Sequence, residues 1–216
     1  MILPTMTYDE IINEVKDDLS FVLDVSDRKD AKVRRLIQKA TQFPCRLHSF
    51  ITSKRKNKWL IMWEAKNKKG IGDDSLFTFA CILDTLKGKF VIMPSFVHGE
   101  FTPIIFLPHF FQRFAQRMNL SLTGDDLIRR YLQFNAHFSI ETKEQRINEQ
   151  TIEIIATGTT EDGVALGYKI GRENGFLFKT FITYDMARGS QIESFRASEA
   201  RRIKFYEAFF KQIENE

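Results

Sequence analysis

The sequence predicts an α+β fold, with a largely antiparallel sheet or sheets, an N-terminal helical hairpin, a central helix pair and a C-terminal helix packed on them. Three observations lead there. Apolar residues recur at helical spacing over 7–41, 108–135 and 198–214. They recur at alternate positions over most of 46–107 and 151–184, with short, hairpin-like connections that favour antiparallel pairing. Finally, the 216 residues include 21 Phe but only 11 Gly and 5 Pro, which excludes collagen-like, low-complexity and disordered chains. A chain of this length buries roughly 70% of its unfolded surface and folds without disulfides or a structural metal. No Ser/Gly/Pro-rich linker interrupts it. A single domain over 1–216 is expected, with any subdivision falling between 1–107 and 108–216.

The first helix is expected over 7–23. Thr7 and Glu10 form a capping box, and Ile11, Ile12, Val15, Leu19 and Val22 share one face. A second is expected over 28–41, with Val33, Leu36, Ile37 and Ala40 inward and Pro44 beyond its end. Residues 8–27 carry seven acids and one Lys, whereas 28–39 carry six bases and one Asp. That contrast suggests two helices with complementary outer edges.

Strands are expected at 47–52, 58–66, 76–84, 89–93 and 101–107. The second of these is apolar on both faces (Trp59, Ile61 and Trp63 against Leu60 and Met62), as suits a covered central strand. Pro103 points to an edge or a bulge in the last. Pro108 opens a helix that Asn119 closes, and Asp125 and Asp126 sit in the first turn of the next. A short strand at 137–141 precedes a meander of 151–157, 164–170 and 176–184. The last helix, 198–214, turns Ile203, Tyr206, Phe209, Phe210 and Ile213 inward.

Several function classes are disfavoured. The stretch MILPTMTYDE has neither a basic region nor an apolar run of signal-peptide length, and the longest apolar runs are about five residues against about 20 for a membrane span. A cytoplasmic protein without membrane attachment is expected. Cys45 and Cys81 form no C-x-x-C and read as free thiols, and the four His show no H-x-x-x-H spacing, so neither metal nor cofactor is expected. Asp73, Asp74, Asp84, Glu161, Asp162 and Glu173 are turn residues without the spacing of a calcium loop. No phosphate-binding glycine loop, dinucleotide fingerprint or G-x-S-x-G elbow occurs.

The segment 107–118, LPHFFQRFAQRM, carries the most chemistry. On a helix His109, Gln112, Arg113, Gln116 and Arg117 span about 140° of one face, opposite Phe111, Phe114, Ala115 and Met118. His109, Arg113 and Arg117 stand one above the next, with no acid among them. Guanidinium forks suit phosphate or carboxylate, the first turn of a helix favours an anion, and imidazole exchanges protons near neutrality. The same face also reads as a solvated one, with Arg113 paired to Asp125 or Asp126. Phe106, Phe111 and Phe114 are expected on its inner side, over Phe176, Phe178 and Phe181 of the last meander strand.

This H-x3-R-x3-R helix, followed by a helix and a strand meander, resembles the small RNase-type toxin domains of the barnase, EndoU, colicin and RelE group over residues 107–185. The resemblance implies metal-independent RNA cleavage, with His109, Arg113 and Arg117 matching the helix positions. Lys179, Thr183 and Tyr184 of the last meander strand would be the partners from the sheet. About 105 residues precede the motif, including strands those domains lack, and no second His is clearly placed for a two-His mechanism, His137 being the candidate.

Residues 53–70 hold seven bases and one acid. Lys54, Arg55, Lys56 and Lys58, beside Trp59 and Trp63, read as a hairpin tip for single-stranded nucleic acid, or as a solvated turn on a core strand. Two functions are therefore expected from the sequence. One is a protein that binds RNA or another phosphate-bearing ligand, with RNase activity at the His/Arg face and Gln112 and Gln116 beside it. The other is a protein-interaction module using the charged helices and the basic hairpin.

Overall fold

A computed structural model describes residues 1–3, 5–68, 76–97, 99–146, 148, 152–170 and 175–215. The fold is α+β, with mostly antiparallel strand pairing. The chain divides into two units, Met1–Leu83 with Phe209–Glu216, and Asp84–Ala208.

In the first unit the expected helical hairpin is a single helix, α1 (Tyr8–Lys39). Its capping box forms as expected: Thr7 N–H donates to Glu10 Oε2 at 2.7 Å, and Glu10 N–H to Thr7 Oγ1 at 3.4 Å. Nothing stops the helix at 24–27, where there is neither Gly nor Pro. The buried stripe of Ile12, Val15, Asp18, Val22, Ser26, Val33 and Ile37 keeps its phase throughout. Acids in the first half and bases in the second complement the dipole of one long helix, which is why the charge contrast does not mark two elements. Leu36, expected inward, is exposed.

Strands β1 (Cys45–Thr52), β2 (Lys58–Ala65) and β3 (Leu76–Thr85) pair antiparallel in that order. Residues 59–63 of β2 are buried in succession, as a strand flanked on both edges and covered on both faces requires. Asp18 of α1 is 2% exposed. Its Oδ2 accepts from Asn57 Nδ2 at 2.7 Å and from Trp59 Nε1 at 3.1 Å, fixing α1 to β2. Cys81 is buried and Cys45 half-buried, and both are free thiols.

In the second unit β4 (Gly88–Val97), β5 (Glu100–Phe106), β6 (Ser139–Arg146), β7 (Ile152–Thr159), β8 (Val164–Ile170) and β9 (Gly175–Ile182) lie in the order β4-β5-β9-β8-β7-β6. Only β5 and β9 run parallel. Pro103 is thus not on an edge strand. It faces Pro94, and the parallel pairing of β5 starts one residue later, at Ile104, so no ladder bond needs its missing N–H. Strand β6 is longer than the expected 137–141, because the charged residues that hide its alternation belong to an exposed edge.

Helices α2 (Pro108–Arg117) and α3 (Gly124–Asn135) follow β5. Asn119 closes α2 at φ 52°, with Leu120 N–H bonded to Ala115 O and Asn119 N–H to Gln116 O, the paired bonds of a Schellman motif. Tyr131 of α3 is the hub beneath them, with ring centroids of Phe110, Phe114, Phe106, Phe111 and Phe181 between 4.9 and 6.2 Å away. Phe178 stacks on Phe106 at 5.6 Å. Phe106, Phe111, Phe114, Phe178 and Phe181 of the expected aromatic floor are therefore in place, extended by Phe110 and centred on Tyr131, whereas Phe176 is half-buried and enters none of these ring contacts.

Helix α4 (Ser190–Asn215) begins eight residues before the expected 198. Its first part docks Phe195 beside Val164 and Ala187, and buries a hydrogen bond from Thr159 Oγ1 to Ser198 Oγ of 3.0 Å. Ile203, expected inward, is exposed; Tyr206, Phe209, Phe210 and Ile213 lie outside the described side chains, and Asp73, Asp74 and Glu173 outside the described residues. No helix among the described residues is long and apolar enough to cross a membrane.

Candidate functional site

Helix α2 is held from below by Phe110, Phe111 and Phe114, all buried, so its opposite face is forced outward. His109, Gln112 and Gln116 are exposed there, with Arg113 and Arg117 half-buried. Arg113 donates from Nε to His109 Nε2 at 3.1 Å and from Nη1 to Gln116 Oε1 at 2.9 Å. Arg117 leaves the helix surface and donates from Nη1 to Thr180 Oγ1 on β9, 3.3 Å away.

The acids expected to neutralise this face are engaged elsewhere. Asp125 pairs with Lys89 at 3.2 Å and Asp126 with Arg129 at 3.3 Å. Among the described residues, neither Arg113 nor Arg117 is paired with a carboxylate, whereas Arg34, Arg46, Arg55, Arg129, Arg130, Arg201 and Arg202 all are. Partial burial and the neighbouring Arg113 charge hold Arg117 below the usual guanidinium range.

The sheet side chain that bonds to α2 is Thr180, next to the expected Lys179. Lys179 turns its ammonium over the Tyr168 ring, 4.3 Å from the centroid. Thr183 precedes a 3-10 turn at Tyr184–Met186. The Tyr184 hydroxyl is shared between Thr160 O at 2.5 Å and Glu199 Oε2 at 3.0 Å; burial first, and the Glu199 charge second, raise it above the usual phenol range.

A β-bulge interrupts β9 at this point. Leu166 faces Thr180 but Gly167 faces Phe178, so Lys179 is an extra residue without a partner and the simple alternation fails. The extra residue lets Phe178 and Phe181, three apart, both enter the aromatic core below α2. Gly167 makes the bulge feasible: a Cβ there would stand 1.9 Å from Leu177 O. The sequence held this signal in a lone Gly inside a strand opposite two inward Phe at odd spacing.

Asp162, a turn residue in the sequence, ties α3 to the β7–β8 turn. It accepts from Arg130 Nη1 at 3.0 Å and Asn135 Nδ2 at 2.8 Å, while its N–H donates to Asn135 Oδ1 at 2.9 Å. This network holds the layer on which α2 rests.

The β1–β2 hairpin belongs to the first unit. Lys54 and Lys56 are exposed at its tip. Arg55 is bound to Glu14 and Asp17 of α1, each at 2.8 Å, and Lys58 lies over the Phe50 ring at 5.3 Å. Trp59 and Trp63 are buried, so neither is placed to stack on a base.

Among the described residues no group of three or more His, Cys, Asp or Glu is placed to hold a metal ion. No protein-family model, no curated protein and no solved structure matches the chain.

Proposed function

We propose that the outer face of α2 binds a phosphate-bearing ligand, RNA foremost. One observation carries the reading: two guanidiniums one turn apart, both tethered by neutral groups, with no carboxylate paired to either. Like charges so placed repel, and an anion relieves the repulsion. The neutral tethers hold the forks in position while leaving other N–H groups for the ligand, as rigid phosphate recognition requires. Gln112 and Gln116 add neutral hydrogen-bonding groups beside them.

RNA cleavage is the second stage of the same proposal. Attack by a 2′-hydroxyl needs a group to take its proton, a group to protonate the leaving oxygen, and cations for the developing charge. Here His109 is one proton carrier, and Arg113 and Arg117 supply the cations. Lys179, Thr183 and Tyr184 remain the sequence-derived candidates for the other roles, although Tyr184 is engaged with Thr160 and Glu199.

The test is incubation of purified protein with mixed RNA, comparing wild type with His109→Ala, Arg113→Ala and Arg117→Ala. Each Arg variant is expected to weaken binding by about tenfold, the scale of a charge-assisted contact. His109→Ala is expected to remove any cleavage while retaining most binding. If RNA does not bind, or all three variants match wild type, the proposal fails.

A further inference from the structure

We propose that the α2 site grips successive phosphates of a phosphodiester chain, not a single phosphate, and that Thr180 is the positioning residue that sets the spacing. The inference rests on the reading that α2 binds phosphate.

Two Arg residues on one helix face could converge on a single anion. Their tethers here run to different elements. Arg113 is fixed along its own helix, to His109 one turn before it and to Gln116 three residues after it. Arg117 is drawn off the helix to β9 by Thr180. The two forks are thus tied to different elements, with backbone origins four residues, or about 6 Å, apart along the axis. A row of single negative charges repeating at that scale is the character of a polynucleotide backbone, whereas inorganic phosphate offers one centre.

Thr180 directly follows the extra residue Lys179, in the kind of position that bulges occupy beside functional sites. Its hydroxyl accepts from Arg117 and is half-buried between helix and strand. It carries no charge, so it orients the guanidinium without neutralising it.

The source of the phosphodiester is either RNA or single-stranded DNA, and the probes separate them. Nitrogen-15 NMR of the arginine side chains, on the full chain, is titrated with inorganic phosphate, uridine 5′-monophosphate, pUpU and pTpT. The dinucleotide pUpU is expected to bind roughly tenfold more tightly than the mononucleotide, and its affinity to fall with salt at a slope of about −1.4, the value for two phosphates on a single strand. Arg117→Ala should shrink that slope by about 0.7. Thr180→Val should weaken pUpU several-fold while leaving the mononucleotide and the salt slope nearly unchanged, and Thr180→Ser should restore it. Equal binding of pUpU and pTpT, or a preference for pUpU, both support the spacing; the preference assigns the source to RNA through its 2′-hydroxyl. Equal affinity for mono- and dinucleotide, or one inorganic phosphate shifting both arginines together to saturation, overturns the inference and leaves the phosphate reading standing. Binding of none of the probes overturns both.

Discussion

Arg113 donates its Nε–H to Nε2 of His109, 3.1 Å away and four residues earlier on α2. In this bond Nε2 is the acceptor, the role that the Nδ1–H tautomer of imidazole can fill. His109→Ala should therefore release the Arg113 side chain without loosening the fold. Unfolding free energy is expected to change by no more than about 0.5 kcal/mol, because the pair lies on an outward face. The Arg113 Nε–H resonance should move toward that of a solvated arginine, and the wild-type imidazole nitrogens should show the Nδ1–H tautomer at alkaline pH. An unmoved arginine resonance would show that the bond does not order Arg113.

Tyr131 is fully buried, and its hydroxyl has no hydrogen-bond partner among the described residues. Tyr131→Phe should then cost less than about 1 kcal/mol at neutral pH, and Tyr131→Ala about 3–5 kcal/mol. Burial, and secondarily the Asp162 charge, raise this phenol well above its ordinary range. The unfolded chain loses that proton near pH 10 while the folded chain keeps it, so the contribution is complete below pH 10 and is lost as the pH rises beyond it. Denaturant melts from pH 7 to pH 11 should show this group's contribution constant to near pH 10 and lower by about 1.4 kcal/mol at pH 11, and that component should be missing in Tyr131→Phe. A loss above 2 kcal/mol for Tyr131→Phe at neutral pH would mean that the hydroxyl has a partner.

The α2 face was legible because ten residues hold both its polar row and its apolar support, and a local amphipathic pattern needs no tertiary information. Strand β8 spans the expected 164–170 for the same reason: its turns and its alternation are both local. Three features were not legible. The length of α1 was masked by a charge reversal that completes one dipole as well as it separates two helices. Thr180 was hidden by a bulge, since a one-residue insertion changes every later side-chain direction and is settled by the partner strand. Asp18 was counted with the solvated acids, yet it lies on the apolar stripe between Val15 and Val22, and its acceptors become useful only when Asn57 and Trp59 arrive from a distant hairpin.

Removing the Asp18 carboxylate leaves the Asn57 amide and the Trp59 indole N–H buried without an acceptor. Asp18→Ala should destabilise the chain by about 3 kcal/mol, and Asp18→Asn, which keeps one acceptor oxygen, by about half as much. Asp17→Ala is the control: the neighbouring side chain is 54% exposed and pairs with Arg55, so its loss should cost about 0.5 kcal/mol or less. Urea melts of the three variants settle the matter. Equal midpoints for Asp18→Ala and Asp17→Ala would show that the buried bonds contribute no more than a surface ion pair.

Gly167 gives the sharpest structural test, because it joins the fold to the site. A methyl group there would stand 1.9 Å from Leu177 O and 2.8 Å from Phe178 Cα, both backbone atoms that cannot rotate away. Strand β8 must separate from β9, or β9 must give up its bulge. The first route breaks ladder hydrogen bonds. The second reverses Thr180 and Phe181 relative to α2, taking an acceptor from Arg117 and a ring from the Tyr131 cluster. Gly167→Ala should therefore cost about 3 kcal/mol or more. In whatever fraction stays folded, the Arg117 side-chain resonance should lose its distinct position while Arg113 keeps its own. A variant that melts within about 0.5 kcal/mol of wild type, with Arg117 undisturbed, would show that the close approach of β8 and β9 does not hold Thr180 in place.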